Sequence, residues 1–256
     1  MKDEAGRVVG ADRVLAVLAE LAHHADGIAL DDLAARVGSP KSTVHRALAA
    51  LRRAGFAAQP RHGWYRIGDE FLRLAYEHQA ARPESARVEP ALQQLSQHFG
   101  ETAHYAVLDG SDVVYRAKVD PPAGSVRLTS VVGGRNPAHR TAVGKLLLSE
   151  RLRSESDLRT WLAGRSLEPR TPSSITTVSA LWAELELTRE RGYATDDQEN
   201  EVGINCVAIP VPPGALPARD GAISVSALAF RHPLAQLVEE LPTMREIVDR
   251  ALGSAQ

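Results

Sequence analysis

Apolar residues recur at every third or fourth position near the start of the chain, and this spacing predicts amphipathic helices. A first helix is predicted over residues 11–24. A second is predicted with Asp31 as its N-cap and Gly38 as its left-handed closing residue, because short polar side chains satisfy first-turn amides and glycine tolerates positive φ. A third is predicted with Ser39 as its N-cap and Pro40 at its first position. Two short helices joined by a tight turn form a helix-turn-helix.

The third predicted helix has one apolar face and one polar face. Its buried stripe is predicted to comprise Val44, Ala47, Leu48 and Leu51. Two short strands, residues 56–58 and 64–67, are predicted to flank a basic tip at residues 59–63, which is the pattern of a β-hairpin. With residues 1–10 as a loose arm, we predict that residues 1–68 form a winged helix-turn-helix domain.

The helical pattern continues beyond the hairpin, but Pro83 and Pro90 interrupt it. We predict a linker over residues 69–83 that is helical to about residue 81. A second helix is predicted from about Glu84, at the start of a C-terminal domain that spans residues 84–256.

From residue 101 onward the apolar residues alternate with polar ones, which indicates strands. The predicted strands are residues 102–107, 113–119, 125–132, 193–196, 204–211 and 222–230. The predicted helices are residues 141–150, 155–163 and 178–191, with a loop at residues 133–137 and a helical region from Pro233. Because the strands fall into two groups with helices between them, the pattern predicts an α+β domain with one sheet covered by helices.

Basic residues are concentrated in one part of the chain. Residues 33–68 contain seven Lys or Arg and no Asp or Glu, whereas the whole chain has a formal net charge of -2. A local cationic surface favours a polyanionic partner, and a helix-turn-helix fits a DNA groove. The alternative is a helix face that is merely solvated. The predicted contacts with double-stranded DNA are Lys41, Ser42, Thr43, His45, Arg46, Arg52, Arg53 and Arg61.

Cysteine content and hydropathy exclude several classes of protein. The single cysteine, Cys206, excludes an internal disulfide and any multi-cysteine metal centre. The N-terminus lacks the apolar stretch of a signal peptide, and no apolar run approaches membrane-spanning length. We therefore expect a cytoplasmic protein without a membrane partner.

The chain matches the sequence motifs of enzyme active sites poorly. The segment TAVGKLL superficially suggests a phosphate loop, but His139 and Leu146 stand where that motif requires glycine and a hydroxyl residue. No nucleophile, base and orienting group form a recognisable trio. We therefore predict no catalytic residue and no enzymatic activity, although an enzyme acting on a small molecule in the C-terminal domain remains the alternative.

A metal site is also disfavoured, and we predict no metal and no cofactor. Four scattered residues could in principle ligate an ion but are better explained as pocket lining or core: His104, His139, Asp196 and Cys206. Four charged residues of the C-terminal domain are expected mostly at the surface: Lys145, Glu150, Glu199 and Glu201.

Several phrases of the chain resemble the IclR family of bacterial transcriptional regulators. The N-terminal phrases are LAARVGSPKSTVHRALAALRRAGF and WYRIGDEFLRLA. The C-terminal phrases are GGRNPAHRTAVGKLLLSE, ELELTRERGYATDDQENEVGINCVAIPV and GAISVSALAF. The resemblance implies a winged helix-turn-helix joined by a linker helix to a GAF-like effector-binding domain. It further implies a homodimer or homotetramer on a palindromic operator, and repression of a catabolic or metabolic operon until a small, often carboxylate-bearing metabolite binds.

The resemblance also implies an effector site. Its positions in this chain are Leu128, Asn136, Ala142, Val143, Asp196, Ile204, Cys206, Ser224 and Ser226. Successive amides at Ala142 and Val143 would open a helix, and helix N-termini hold anions. Ser224 and Ser226, two apart on a strand, would direct both hydroxyls to one face.

Two positions depart from the family pattern. Ala138 stands where a larger apolar residue is usual, and Asn136 is polar at a position that is apolar in some members. Both differences are expected to enlarge the pocket or to admit water to it.

Overall fold

The computed structural model of the protein describes residues 10–80, 83–122, 128–216 and 221–253. The predicted N-terminal arm lies outside these residues, except for Gly10. Contacts divide the chain into two units, Met1–Arg82 and Pro83–Gln256. Each unit has its own apolar core.

The first unit is a helix-turn-helix followed by a β-hairpin. Its elements are α1 (Gly10–Ala22), β1 (Ile28–Ala29), α2 (Leu30–Arg36), α3 (Lys41–Arg53), β2 (Ala57–Arg61), β3 (Trp64–Ile67) and α4 (Asp69–Ala80). Strand β3 lies between β1 and β2 in an antiparallel sheet. The predicted winged helix-turn-helix is confirmed, and the predicted stripe of α3 is buried as expected.

Both predicted N-caps in this unit are wrong, whereas Gly38 closes the second helix as predicted. Asp31 lies within the first turn of α2, after an uncapped start at Ala29. Ser39 is outside α3 because its backbone closes α2: its N–H donates to the Ala34 carbonyl at 3.0 Å, while Gly38 adopts a φ of 64°. This is the hydrogen-bond pattern of a Schellman motif. The carbonyl of Pro40 then accepts the first amides of α3.

The hairpin differs from the prediction in two respects. Strand β2 extends to Arg61, so the tip is only His62 and Gly63, and Gly63 has the positive φ of 70° that a tight turn requires. The short strand β1 completes the sheet. It is not predicted from the sequence, because two residues are too few to show a periodic pattern.

The second unit is an antiparallel sheet with helices on both faces. Its strands are β4 (Thr102–Asp109), β5 (Asp112–Val119), β6 (Arg135–Pro137), β7 (Ala194–Asp197), β8 (Ile204–Pro210) and β9 (Gly221–Leu228). Its helices are α5 (Pro83–Phe99), α6 (Ala142–Arg151), α7 (Glu155–Leu162), α8 (Val178–Arg191), α9 (Leu234–Glu239) and α10 (Leu241–Leu252), with a 3-10 turn at Ala138–Arg140. The strand order is β6-β5-β4-β9-β8-β7. The predicted α+β class is confirmed.

Alternation along the strands assigns each side chain to one of two layers. In β9, Ile223 and Val225 pack with α5 and α10 in one core. Ala222 faces the opposite layer, which is formed by α6, α7 and α8. Ser224 and Ser226 lie on the face of Ala222, so the sheet presents hydroxyl groups toward α6.

Three predicted elements of the second unit are wrong. Pro90 does not interrupt α5, which continues through it and buries Val88 and Leu92. Residues 128–132 are not a strand, and the remainder of that predicted strand, 125–127, lies outside the described residues. The predicted loop 133–137 instead contains β6, which pairs with β5.

Candidate functional site

The outward face of α3 and the hairpin carry all eight residues predicted to contact DNA. Seven of them lie on α3, and Arg61 lies at the end of β2 beside the tip. The side chain of Thr43 is half-buried, and the other seven residues are exposed. These residues therefore form one accessible surface within the first unit.

Three of the cations on this surface have partners within the protein. Lys41 Nζ lies 2.7 Å from Asp31 Oδ2, so an acidic side chain does approach the basic surface. Arg52 Nη1 donates to Gln59 Oε1 at 2.6 Å. The Arg61 guanidinium lies 4.3 Å from the centre of the Trp64 ring.

The remaining basic groups of the surface are His45, Arg46 and Arg53. Their side chains form no hydrogen bond or ion pair with any described residue. They are therefore the groups of α3 most readily available to an external anion.

The second unit contains a cavity of about 250 Å³ beside the start of α6. All nine residues predicted for the effector site line it. Eleven further residues line the cavity, and among them only His104 is predicted from the sequence, as pocket lining or core: His104, Tyr115, Thr129, Ser130, Val131, Gly134, Arg135, Thr141, Arg170, Asn200 and Glu201.

One end of the cavity is formed by the first turn of α6. Thr141 caps the helix: its Oγ1 accepts the Gly144 amide at 3.0 Å, and its carbonyl accepts the Lys145 amide at 2.9 Å. The amides of Ala142 and Val143 precede these and have no acceptor within the helix. This end of the cavity is therefore suited to an anion.

A glycine sets the position of this turn. A Cβ at Gly144 would lie 2.1 Å from the carbonyl oxygen of Ala138, so only glycine permits α6 to start so close to the 3-10 turn. Ala138 is fully buried there and does not line the cavity. Its expected effect on pocket size is therefore wrong, whereas Asn136 does line the cavity.

The sheet supplies a wall of small polar groups. His104 of β4 pairs with Ser224, and Cys206 of β8 pairs with Ser226. Cys206 Sγ donates to Ser226 Oγ at 3.0 Å, and His104 Nε2 lies 2.8 Å from Ser130 Oγ. Burial lowers the pKa of His104 to about 3, so the imidazole is neutral, and burial raises the pKa of the Cys206 thiol.

Tyr115 continues this neutral wall on β5. Asn136 Nδ2 donates to its hydroxyl at 3.3 Å, which leaves the Tyr115 O–H free to donate elsewhere. Burial raises the pKa of Tyr115 to about 12. The phenol is therefore a hydrogen-bonding group and not an anion near neutral pH.

Asp196 is the buried acidic group of the cavity, which is also lined by the half-buried Glu201. Only 2% of Asp196 is exposed, and its Oδ1 accepts the backbone amides of Glu199 at 2.7 Å and Asn200 at 3.3 Å. Burial, reinforced by the Glu199 carboxylate, raises the pKa of Asp196 to about 7. Asp196 thus changes its charge in the physiological range.

Two charged residues expected at the surface are buried. Lys145 and Glu199 form an ion pair, and Lys145 also lies 3.7 Å from Glu184. Helical periodicity places Lys145 beside apolar neighbours, but only the fold reveals its partner on another segment. Glu150 is exposed as expected, and Glu201 is half-buried.

The four residues considered for metal binding do not form one group. His139 points to the Glu168 carbonyl, 3.4 Å from its Nε2, and does not line the cavity. Within the described ranges, no three His, Cys, Asp or Glu side chains are arranged to hold a metal ion. The same ranges contain no helix long and apolar enough to cross a membrane.

His104, which the sequence predicts only as pocket lining or core, lies in the wall of the cavity. The alternation in residues 102–107 places it on one face with Thr102 and Ala106. Its place beside the two serines follows from the register of β4 on β9, which pairs residues more than a hundred positions apart. A local sequence pattern cannot predict that register.

Two family models, one for each domain of the same family, match the chain. The IclR helix-turn-helix domain matches residues 10–61, and the bacterial transcriptional regulator IclR C-terminal domain matches residues 84–250.

Individual proteins are similar over most of the chain. The HTH-type transcriptional regulator XynR of Escherichia coli is 32% identical over 246 residues, which cover 94% of this chain and 96% of XynR. The transcriptional repressor IclR of the same organism is 31% identical over 207 residues, covering 79% of this chain and 74% of the repressor. The fold is similar to an IclR homolog from Microbacterium hydrocarbonoxydans complexed with 4-hydroxybenzoate, with a TM-score of 0.73, 20% identity and coverage of 94% and 100%.

Proposed function

The chain belongs to the IclR family of bacterial transcriptional regulators, and on that premise we propose that it represses a catabolic or metabolic operon until a small carboxylate binds its cavity. Family membership makes it a DNA-binding, ligand-responsive regulator and not an enzyme. The sign of regulation, the class of operon and the chemistry of the effector are the proposed parts.

The proposed operator contacts are the exposed residues of α3 and the hairpin. Arg46 and His45, one turn into α3, are assigned to base edges, and Ser42 and Thr43 to phosphates or bases. Arg52, Arg53 and Arg61 are assigned to phosphates. Lys41 is assigned a weaker contact, because Asp31 already pairs with its ammonium group.

The proposed effector site is the cavity beside α6. The observation that carries this assignment is that Ala142 and Val143, the first two residues of α6, line the same cavity as Ser224 and Ser226. Amides hold a carboxylate, and hydroxyls hold a second oxygen of the ligand. Leu128 and Ile204 supply the apolar wall. The 4-hydroxybenzoate bound to the structural relative is an acid of this kind.

Self-association is proposed from the surface of α4. Its side chains Phe71, Leu72, Leu74 and Tyr76 are between 40% and 78% exposed, which is unusual for four apolar residues on one helix. One recognition helix reads few base pairs, so useful affinity requires two copies on a symmetric site. We therefore assign at least a homodimer to the DNA-bound protein, with the homotetramer as the larger form.

Operator selection followed by ligand release tests the proposal. The full-length protein selects fragments from a random double-stranded DNA pool, and the selected consensus is expected to be palindromic. Fluorescence anisotropy then measures release of that DNA by pyruvate, lactate, benzoate and 4-hydroxybenzoate. Release by at least one acid, with no chemical change in the recovered acid, supports a repressor. Tighter DNA binding on addition of every active acid would contradict relief of repression.

A further inference from the structure

The start of α6 and the Asp196 carboxyl line the same cavity, and they act in opposite directions on a bound anion. The first-turn amides of α6 attract an anion, whereas the Asp196 carboxyl repels one when it is ionised. The cavity is small, about 250 Å³, so a bound acid of a few carbons comes close to both. This reasoning rests on the proposed function of the cavity as an effector site.

The hydrogen bonds of Asp196 leave one of its oxygens for the ligand. Oδ1 already accepts two backbone amides, from Glu199 and Asn200. These bonds orient the carboxyl group, and Oδ2, which accepts neither amide, is the oxygen that can carry a proton and meet a ligand beside the Cys206 thiol. A protonated Oδ2 donates a hydrogen bond, and an ionised Oδ2 accepts one.

The surrounding charges do not neutralise Asp196. Lys145 on α6 is a buried cation whose charge lowers the pKa of Asp196, but it is already paired with Glu199 and lies 3.7 Å from Glu184. Tyr115 on β5 and Cys206 on β8, which feel the charge of Asp196, are neutral, and His104 on β4 lines the same cavity as a neutral imidazole.

Other charged residues lie around the cavity or contribute to the local field. They are Glu199 and Glu201 in the loop after β7, Arg135 on β6, Arg140 in the 3-10 turn and Arg170 in the segment before α8. Arg135 is paired with Asp109 and Asp112, Arg170 is exposed, and Arg140 Nη1 donates to the Glu168 carbonyl. Among the described residues, none of these charged side chains forms a hydrogen bond or ion pair with the Asp196 carboxyl.

We infer that the cavity takes up the effector carboxylate together with one proton, which resides on Asp196. Two carboxylates in a buried site repel each other, and the cheapest relief is to neutralise one of them. With Asp196 neutral, the ligand carboxylate occupies the Ala142 and Val143 amides, and Asp196 Oδ2 donates to a second oxygen of the ligand.

The inference narrows the class of effector. A keto or hydroxyl oxygen accepts the Asp196 proton, so oxo acids and hydroxy acids fit. An ammonium group has no lone pair to accept that hydrogen bond, and it would require Asp196 to be ionised. Binding a zwitterion also desolvates one more charge than binding a monoanion. The cavity therefore selects oxo and hydroxy acids over amino acids of the same carbon skeleton.

A ligand-free measurement tests the state of Asp196. The full-length protein is labelled with ¹³C at the aspartate carboxyl carbons and titrated by NMR from about pH 5 to about pH 9. One carboxyl signal is expected to titrate near neutral pH, to be absent from Asp196→Asn and to persist in Asp197→Asn, its exposed neighbour on β7. A spectrum in which every aspartate titrates in the ordinary acidic range would overturn the inference.

Calorimetry with pyruvate and alanine, which share three carbons, tests the coupling to the ligand. Above the pKa of free Asp196, pyruvate affinity is expected to fall by up to about tenfold per pH unit, with matching proton uptake between buffers of different ionisation enthalpy. Asp196→Asn is expected to bind pyruvate without pH dependence, because its amide mimics the neutral acid. Stronger binding of alanine than of pyruvate, or pyruvate binding without proton uptake above that pKa, would overturn the inference.

The two failures are distinguishable. If Ala142→Leu binds pyruvate as the wild type does, the ligand lies elsewhere and the proposed effector site is wrong, whatever Asp196 does. If neither probe binds, a carboxyl signal of Asp196 that titrates near neutral pH supports the inference, and one that titrates in the ordinary acidic range overturns it.

Discussion

Lys145 and Glu199 form an ion pair that is closed to solvent, and it joins the first turns of α6 to the loop after β7. The side chain of Lys145 is 1% exposed and that of Glu199 is 8% exposed. The Glu199 amide also donates to Asp196. The pair therefore links the helix that begins with Ala142 and Val143 to the segment that follows Asp196, the buried acidic group of the cavity.

Removing the ammonium group of this pair should destabilise the second unit strongly. Lys145→Met leaves the buried Glu199 carboxylate unpaired, and such a loss costs about 3–5 kcal/mol. Trp161 and Trp182 lie in the second unit, so urea unfolding followed by tryptophan fluorescence in a Trp64→Phe background reports on that unit alone.

A double variant and a surface pair provide the controls. Lys145→Met combined with Glu199→Gln should be more stable than Lys145→Met alone, because the orphaned charge is gone. Arg159→Met breaks an exposed pair with Glu155 and should cost less than about 1 kcal/mol. Equal costs for Lys145→Met and Arg159→Met would show that the buried pair contributes little.

The sequence predicts much of this architecture because its strongest patterns are local. Helix α8 begins and ends at the predicted residues, and its C-cap Gly192 has the left-handed φ that closes a helix. Errors arise where backbone hydrogen bonds compete with a side-chain signal. Ser39 has a typical capping side chain, but its backbone is engaged in closing α2.

The cavity was predicted in part. Its nine expected residues came from resemblance to a family, and they line one cavity. Tyr115 and Ser130 are not predicted, and neither is the position of His104 beside the serines, because strand register and loop position bring these residues there and periodicity encodes neither. Lys145 was wrongly expected at the surface, because charge alone does not identify a buried pair with a partner 54 residues away.

Two arginines of the first unit should affect DNA binding differently. Arg46→Ala should reduce discrimination between operator and random DNA, because a base-edge contact is worth about 1–3 kcal/mol. Arg61→Ala should weaken both complexes and lower the salt slope by about one, because it removes a phosphate contact. Anisotropy titrations at several salt concentrations measure both effects, with Arg159→Ala as the control. Unchanged specificity in Arg46→Ala would remove it from the recognition surface.

Helix α4 should mediate self-association. Leu72→Glu places a charge among its exposed apolar side chains and should shift the protein toward a 27.6 kDa monomer in light scattering at micromolar concentration. Leu187→Glu on α8, where the leucine is 52% exposed, is the matched control and should leave the mass of the wild-type oligomer unchanged. Dissociation by Leu187→Glu alone would place the interface on the second unit, and a monomeric wild type would refute self-association.

Substitutions in the proposed effector site should have graded effects. Ala142→Leu sets a bulky side chain beside the first-turn amides and should abolish release of operator DNA by the active acid. Ser226→Ala removes one neutral hydroxyl and should weaken the acid by roughly 0.5–1.5 kcal/mol, or about 2- to 12-fold. Operator affinity without ligand should be unchanged in both, which shows that the protein is folded. A normal response in Ala142→Leu would place the ligand elsewhere.

The raised pKa of Asp196 should also appear in the pH dependence of stability. Its folded pKa is about 7 and its ordinary value is 3.8, so between these values the folded state binds more protons than the unfolded state. The free energy of unfolding contributed by Asp196 therefore falls as pH rises through this window and is lowest above pH 7. Asp196→Asn removes the dependence while its side-chain oxygen still accepts the amides of Glu199 and Asn200.

The variant should accordingly be more stable than the wild type above neutral pH, and the two should converge near pH 4. Each pKa unit corresponds to about 1.4 kcal/mol, so a gain of roughly 2–4 kcal/mol is expected. Glu199 also has a pKa raised by burial, and it affects both proteins, so the difference between their urea midpoints isolates Asp196. Asp197→Asn should follow the wild type. Parallel curves for wild type and Asp196→Asn across this window would mean that Asp196 is ionised throughout it.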